Sequence, residues 1–337
     1  MEWCDPSVVL ARASEGTDVV QRLVPDNGIT WLYGSSMSFK SFVAMSIAVA
    51  VSRGEVWMGH RTRPSLVLYV GAEGGAGLHA RRYAAEGGEP GRLLLLSERP
   101  RLDTPAGASA LRGMLNAFAY HVVDPGDEEM LDKYFDPDVR DTVRSILVVI
   151  DTYSQTAGGD EKENVSAYVK NLRDVIGASA ADNLAVLVVD HATKSGGTYL
   201  GSVAKLNDVD SQLELSREGD RACLRQVKSK DTSGSPALWL ELERVELPFS
   251  DAYGDALSTL VVRDGTPAKR IADVADGHAG VLLGLLGDWG GESELRDRFV
   301  GKLGGRRDSA ARAFRRALDK LVEIGAVNVS GGVVKRT

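Results

Sequence analysis

An eight-residue loop between an apolar strand and an apolar helix constrains the fold of this chain more than any other feature. The sequence is ITWLY at residues 29–33, GSSMSFKS at residues 34–41 and FVAMSIAV at residues 42–49. Such a loop wraps backbone N–H groups around a phosphate at the positive end of the helix, while its lysine meets phosphate oxygens and its hydroxyl holds magnesium. The predicted phosphate-binding loop comprises Gly34, Ser35, Ser36, Met37, Ser38, Phe39, Lys40 and Ser41.

Two positions of this loop depart from the usual pattern. Phe39 stands where a glycine normally precedes the lysine, and Met37 occupies a position where glycine is common. Taken alone, so degenerate a match is equally consistent with Lys40 lying on an ordinary turn between a strand and a helix. The assignment therefore depends on what the rest of the chain places beside the loop.

Three further apolar runs end in polar side chains. They are residues 66–70 before Glu73, residues 146–150 before Asp151, and residues 184–189 before Asp190 and His191. Open α/β sheets bind their ligands at the carboxyl ends of the strands, and an apolar strand ending in an acid is the Walker B pattern that holds magnesium. Any one of these residues could be a solvated loop residue. Their joint order favours a single site at one edge of a sheet.

The alternation of segments indicates the fold class. Short apolar runs, including one at residues 121–123, alternate with helical segments such as residues 41–52 and 165–179, which favours a mostly parallel sheet covered by helices on both faces. Shorter strand-like pieces follow, separated by turns, and they indicate an antiparallel extension. These pieces are residues 212–215, 222–228 and 237–243. The predicted fold is therefore α/β.

Several of these segments together resemble a known family. Residues 34–41, residues 68–78 (LYVGAEGGAGL), residues 148–152 (VVIDT) and residues 188–191 (VVDH), with Gly201 and Ser202 after them, match in order the plasmid RepA-type hexameric helicases. These belong to the RecA-like ATPases and are more distantly similar to DnaB-type helicases. The resemblance covers about residues 25–245. It implies a RecA-like domain, ATP and Mg²⁺ as cofactors, and a homo-oligomer, a hexamer, acting on single-stranded DNA in replication.

The resemblance also implies roles for individual residues. Lys40 would neutralise the charge of the transferred phosphoryl group, and Ser41 with Asp151 would hold magnesium. Glu73 would be the catalytic base that orients the attacking water. His191 resembles the residue that senses the γ-phosphate and relays its state to the following loop.

Two more groups of residues have roles implied by the family. In the loop of residues 192–202, Lys194 and Tyr199 are groups that would grip a single strand, by phosphate contact and by base stacking, although an ordinary flexible loop is the alternative. Lys228 and Lys230 resemble basic residues that RecA-like subunits insert into a neighbour's nucleotide site. A solvated edge strand is the alternative for the two lysines.

The last sixth of the chain has a composition of its own. Residues 280–337 carry eleven basic and seven acidic residues, whereas the whole chain has a net charge of −7. Three helical segments followed by a hairpin are predicted here, which is the order of a winged helix. A basic stripe on the third segment would bind duplex DNA. A module that docks a replication protein and a simply solvated basic face are the alternatives. The candidate DNA-binding residues are Arg306, Arg307, Arg312, Arg315 and Arg316.

Length and composition set the domain limits. The chain of 337 residues is long enough for one large core and a small module: an N-terminal segment 1–24, an ATPase domain 25–245, an irregular linker 246–278 and a winged helix 279–337. Cys4 and Cys223 are too far apart to suggest a disulfide framework or a zinc site, which favours a reducing cytoplasm. The longest apolar stretch, residues 42–51, is too short to span a bilayer, so no membrane role is expected.

Three functions remain compatible with the sequence. The first is an ATP-driven helicase or translocase ring on single-stranded DNA. The second is an ATP-gated DNA-binding regulator or initiation factor with weak ATPase activity, since the loop lacks two glycines. The third is a strand-exchange recombinase, which would share the ATPase core but form an open filament.

Overall fold

A computed structural model of the chain describes most of its residues. The described ranges are 18–88, 93–96, 98–120, 145–158, 161–179, 181, 183–191, 208–219, 221–230, 235–265, 277–287, 289–304, 307–323 and 326–336. The chain divides into two compact units, Met1–Ser235 with Leu242–Arg263, and Pro236–Glu241 with Asp264–Thr337. In the described part, no helix is both long enough and apolar enough to cross a bilayer.

Up to Asp264 the described chain forms strands and helices, most of them in the first unit. The strands are β1 (Asp18–Val20), β2 (Val24–Pro25), β3 (Ile29–Gly34), β4 (Leu66–Gly71), β5 (Leu93–Leu96), β6 (Ser145–Asp151), β7 (Asn183–His191), β8 (Ser211–Glu218), β9 (Arg221–Ser229), β10 (Leu238–Ser250) and β11 (Ala256–Asp264). The helices are α1 (Lys40–Arg53), α2 (Ala76–Ala85), α3 (Pro105–Tyr120), α4 (Tyr153–Thr156) and α5 (Glu161–Gly177).

Nine of these strands form one sheet in the order β11-β10-β9-β8-β3-β7-β6-β4-β5. The strands from β8 through β3, β7, β6 and β4 to β5 pair in parallel, whereas β8 and β9 are antiparallel. The loop that follows β3 therefore lies beside the carboxyl ends of β7 and β8. This confirms the predicted α/β fold with a mostly parallel sheet and an antiparallel extension.

Burial on both faces explains why the central strands are continuous apolar runs. Side chains of alternate residues, such as Trp31 in β3 and Val148 in β6, pack with Leu115 of α3 and with Tyr168 and Leu172 of α5 in one core. Helix α1 is itself buried almost throughout its length, because it contacts β3, β4, β6 and β7 of the sheet. The loop before α1 is thus held between a rigid strand and a rigid helix.

One predicted strand lies outside the described residues, and part of the predicted linker forms strands. The strand predicted at residues 121–123 falls outside the described residues, and the edge strand that pairs with β4 is Leu93–Leu96. The prediction of an irregular linker from residue 246 is wrong for its first half, because β10 continues to Ser250 and β11 follows at Ala256–Asp264. The Asp and Gly residues that suggested a linker form the turn between these strands, where Asp251 accepts hydrogen bonds from the backbone N–H groups of Tyr253 and Asp255.

The described residues of the second unit form three helices and a small sheet. Its elements are α6 (His278–Leu285), β12 (Trp289–Gly291), α7 (Glu292–Leu303), α8 (Arg307–Glu323), β13 (Val327–Ser330) and β14 (Val333–Arg336). The strands pair antiparallel in the order β12-β14-β13, with Gly331 and Gly332 at positive φ in the turn. The buried core includes Leu282, Phe299, Phe314, Leu321 and Val334.

Candidate nucleotide-binding site

The loop of residues 34–41 folds around the ammonium group of Lys40. Its Nζ donates hydrogen bonds to the carbonyl oxygens of Gly34 (3.0 Å) and Ser35 (2.7 Å) and lies 3.4 Å from the hydroxyl oxygen of Ser38. Burial lowers the pKa of Lys40 from 10.5 to about 8, although the nearby carboxylates of Asp151, Asp190 and Glu73 oppose that shift. The lysine is therefore held at the carboxyl edge of β3 among three acids.

The two residues that replace glycine adopt the backbone conformation that glycine would favour. Met37 has φ 62° and Phe39 has φ 71°, and both lie in the left-handed region. A side chain in this region costs about 1–2 kcal/mol. Both residues keep a left-handed backbone although neither is glycine. Contacts between the loop and its surroundings must therefore offset this conformational cost.

Phe39 is turned towards neighbouring side chains. The guanidinium carbon of Arg217 lies 4.2 Å from the centroid of its ring, and the ring of Phe42 meets it edge to face at 6.3 Å. A cation over an aromatic ring contributes about 0.5–2 kcal/mol. That gain is of the same size as the backbone cost at Phe39. This contact could not be predicted from the sequence, since Arg217 lies near the end of β8 and only the order of the strands in the sheet brings it to the loop.

Gly34 begins the loop at a point of close approach. A Cβ at this position would collide with the carbonyl oxygen of Leu215 in β8 and would press on the hydroxyl oxygen of Ser38. Glycine is therefore required here by space, because φ at this residue is not positive. The end of β8 thus forms one wall of the loop.

Ser41 and Asp151 are joined directly. The Ser41 hydroxyl donates a hydrogen bond of 3.0 Å to Oδ1 of Asp151, and the Tyr69 hydroxyl donates one of 2.8 Å to Oδ2. Asp151 is buried, and it ends β6 as the sequence predicted. A hydroxyl and a carboxylate are the hard oxygen donors that Mg²⁺ prefers, so the pair fits the predicted magnesium-binding role. Tyr69, inside the apolar run of β4, was missed.

Glu73 follows β4 and lies beside Asp151. The backbone N–H groups of Ala72 and Glu73 both donate to the Asp151 carbonyl oxygen, at 2.9 and 3.3 Å. Oε2 of Glu73 lies 3.4 Å from Oγ1 of Thr152 and 3.7 Å from Nε2 of His191. The half-exposed carboxylate therefore projects at the same edge as Lys40, Asp151 and His191. Thr152 was not singled out from the sequence.

His79 of α2 fixes the backbone of the Glu73 loop. Its Nε2 lies 2.7 Å from the carbonyl oxygen of Glu73, and because a carbonyl can only accept, Nε2 must carry the proton. Burial lowers the pKa of His79, which favours this neutral form. The ring also occupies the space in which a Cβ of Gly71 would lie. No sequence pattern pointed to this histidine.

Asp190 and His191 end β7 next to the loop. Residue 191 pairs in register with Gly34, and residue 190 with Tyr33. Oδ2 of buried Asp190 accepts a hydrogen bond from the indole N–H of Trp31 at 3.2 Å, and Oδ1 accepts one from the backbone N–H of His191 at 2.8 Å. Asp190 thereby holds the position of His191, whose side chain is 40% exposed beside Glu73.

The two predicted lysine fingers do not join the site of their own chain. In the β8–β9 pairing Lys228 is opposite Gln212, near the amino end of β3, whereas the loop follows its carboxyl end. Lys230 donates a hydrogen bond of 2.9 Å to Asp210, which also pairs with Arg173. Burial and the charge of Lys230 lower the pKa of Lys228.

The predicted DNA-binding residues are only partly described. Lys194, Tyr199 and Arg306 lie outside the described residues. Arg307 begins α8, and the side chains of the remaining candidates are exposed on that helix, opposite the buried Phe314, Ala317 and Leu321. These candidates are Arg312, Arg315 and Arg316. The basic stripe therefore faces away from the core of the second unit.

Comparisons with known proteins identify a family for this chain. A family model described as an AAA domain matches residues 7–197, which is more than half of the chain. A solved structure of the RadB recombinase is 14% identical, with a TM-score of 0.41, over 66% of this chain and 89% of that one. No curated protein matches the chain significantly. The chain belongs to the AAA-domain family, and the loop of residues 34–41 lies within the matched residues.

Proposed function

We propose that the chain is a RepA-like DNA helicase or translocase that hydrolyses ATP with Mg²⁺ and works as a hexameric ring on single-stranded DNA in replication. The observation that carries the proposal is the gathering of Lys40, Ser41, Glu73 and Asp151 at one edge of the sheet. Phosphoryl transfer depends mainly on positioning and charge stabilisation, and these four residues supply both. The membership of the AAA-domain family supports the ATPase part.

Each residue has a distinct part in the proposed hydrolysis. The positive charge of Lys40 neutralises negative charge on the transferred phosphoryl group. Glu73, half-exposed and tied through its backbone to Asp151, accepts a proton from the attacking water. His191, whose Nε2 lies 3.7 Å from Oε2 of Glu73, would respond to the terminal phosphate. Ser41 and Asp151 would hold Mg²⁺, which would supply further neutralisation of phosphate charge when bound.

The position of Lys228 and Lys230 suits a role in the nucleotide site of a neighbouring subunit. A finger supplied to another subunit must lie away from its own nucleotide, and these lysines lie near the amino end of β3. The loop of residues 192–202, with Lys194 and Tyr199, would contact the single strand. In the proposed ring the second unit, as a winged helix, would bind duplex DNA or a replication protein through α8.

A second candidate function is an ATP-gated DNA-binding regulator with weak ATPase activity. The observation that favours it is that the ammonium group of Lys40 donates hydrogen bonds to two carbonyl oxygens of the loop. Nucleotide binding must break or share these hydrogen bonds. DNA binding through the exposed arginines of α8 would then be the main activity of the protein. Such a regulator would bind duplex DNA and turn over ATP very slowly.

One experiment separates these candidates. ATP turnover is measured with and without single-stranded DNA, and the native mass of the assembly is measured under the same conditions. A motor shows a ring and turnover that DNA stimulates, and both Lys40→Ala and Glu73→Gln abolish this turnover. A regulator shows negligible turnover with tight binding to duplex DNA. An open filament on single-stranded DNA in electron micrographs would instead indicate a recombinase.

A further inference from the structure

Arg217 makes three contacts at the end of β8, and two of them reach the phosphate-binding loop. Its guanidinium stacks on the ring of Phe39 at 4.2 Å, and Nη1 donates a hydrogen bond of 3.3 Å to the carbonyl oxygen of Met37. Its Nε donates one of 2.7 Å to the carbonyl oxygen of Gly219, which anchors the side chain on its own turn. Arg217 therefore touches both residues that replace glycine in the loop.

Both contacted residues have a left-handed backbone, at φ 62° for Met37 and φ 71° for Phe39. Glycine reaches this conformation freely, whereas other residues do so only when their surroundings hold them there. A planar guanidinium can stack on a ring and donate to a carbonyl at the same time, which a lysine ammonium does poorly. The two contacts of Arg217 thus act where the loop lacks its usual conformational freedom.

We infer that Arg217 is a positioning residue that clamps the phosphate-binding loop in its left-handed conformation before nucleotide arrives. It replaces, by stacking and hydrogen bonding, what glycine provides in other loops of this kind. The inference rests on the proposed binding of nucleotide at this loop. The guanidinium contacts Phe39, Met37 and Gly219. Arg217 therefore affects the affinity for nucleotide through the conformation of the loop, not by touching the nucleotide.

The clamp makes a specific prediction about coupling between two residues. In the full-length protein, Arg217→Ala weakens the binding of MgADP and of MgATP by similar factors, each about fivefold or more. Phe39→Gly removes the ring that the clamp holds and also the need to hold it, so it weakens binding by a smaller factor than Arg217→Ala does. In the Phe39→Gly background, Arg217→Ala weakens binding by a smaller factor than in wild type, since only the hydrogen bond to Met37 remains to be lost. Dissociation constants come from isothermal titration calorimetry with each nucleotide.

Arg225→Ala is the matched control, because Arg225 is an exposed arginine on the adjacent strand β9 and loses the same charge. Hydrogen exchange without nucleotide provides a second measurement. Arg217→Ala increases amide exchange in residues 34–41, and Arg225→Ala does not. Circular dichroism confirms that each variant retains the fold of the wild-type protein.

The outcomes separate the inference from the function on which it rests. If wild-type protein binds neither nucleotide, the proposed function and the clamp are both wrong. If wild type binds and the losses from Arg217→Ala and Phe39→Gly are additive, only the clamp is wrong. A loss for MgATP without one for MgADP would also overturn it, since it would indicate direct contact with the γ-phosphate.

Discussion

The Ser41 hydroxyl donates a hydrogen bond of 3.0 Å to the carboxylate of Asp151, which lies 110 positions further along the chain. Ser41 belongs to the first turn of α1, and Asp151 ends β6. The bond therefore joins the phosphate-binding loop to the strand that neighbours β4, from which Glu73 emerges. Tyr69 of β4 completes the arrangement by donating to the other oxygen of the same carboxylate.

This arrangement predicts that replacing Glu73 separates catalysis from binding. Glu73→Gln removes the proposed base but keeps the size of the side chain, so the turnover number for ATP falls about a hundredfold or more. The dissociation constant for nucleotide changes little, because the carboxylate is not part of the phosphate-binding loop. Steady-state phosphate release gives the turnover number, and calorimetry gives the dissociation constant.

Glu246→Gln is the control for this substitution, because Glu246 is an exposed carboxylate on β10. It leaves both constants at the wild-type values. Full turnover by Glu73→Gln would show that another group activates the water.

The sequence was sufficient to predict residues that stand at the ends of apolar strands. Glu73 follows β4, and Asp151 and His191 end β6 and β7. The structure brings all three to one edge because parallel strands end on the same side. Their chemical roles stay predictions. Lys40 was found in the same way, since it begins the helix after β3.

Residues that support the site from inside elements could not be predicted in this way. Tyr69 looks like any apolar residue of a buried strand until its hydroxyl is seen to meet Asp151. Arg217 reaches the loop only because β8 pairs with β3, a neighbour far away in sequence. The strand Ala256–Asp264 was missed because the Asp and Gly residues before it dominate the local composition.

Removal of the Tyr69 hydroxyl is expected to destabilise the fold. Tyr69 and Asp151 are both buried, and their hydrogen bond of 2.8 Å involves a charged acceptor. Burial, with the charge of Asp151, raises the pKa of Tyr69, so the phenol stays protonated as a donor. Tyr69→Phe leaves the carboxylate one donor short and lowers the free energy of unfolding by about 1–3 kcal/mol.

Urea denaturation of the two proteins measures this difference. Tyr83→Phe, on the partly exposed face of α2, changes a tyrosine outside the site and serves as the comparison. Equal unfolding free energies for Tyr69→Phe and wild type would mean that the hydroxyl does not stabilise Asp151.

The basic stripe of α8 leads to a prediction about salt dependence. Arg312 and Arg316 are exposed one turn apart on this helix. If both contact phosphates, their replacement by alanine weakens binding to duplex DNA and lowers the slope of log affinity against log salt by about 2. Fluorescence anisotropy over a series of salt concentrations measures the slope.

Arg296→Ala with Arg298→Ala is the matched control, since these two arginines are exposed on α7 of the same unit. This pair leaves the slope as in wild type. An equal reduction in both double variants would indicate a diffuse effect of net charge, and no reduction in either would exclude α8 as the DNA contact.

The lowered pKa of Lys40 predicts how nucleotide affinity depends on pH. Burial lowers this pKa to about 8 in the free protein. The negative phosphates of a bound nucleotide favour the charged lysine and raise the pKa again. Below about pH 8 the lysine is already protonated, so affinity is constant there, whereas above it binding must take up a proton and affinity falls by up to about tenfold per pH unit.

Calorimetric titration of MgADP from about pH 7 to about pH 9.5 measures this dependence, and buffers of different ionisation enthalpy report the proton uptake. Lys40→Arg is the control, because a guanidinium stays charged throughout this range. Its affinity is lower than that of wild type, since the longer, forked side chain does not fit the buried place of the Lys40 ammonium group, but it does not vary with pH. A wild-type affinity that stays constant up to about pH 9.5 would show that Lys40 is not the group that titrates on binding.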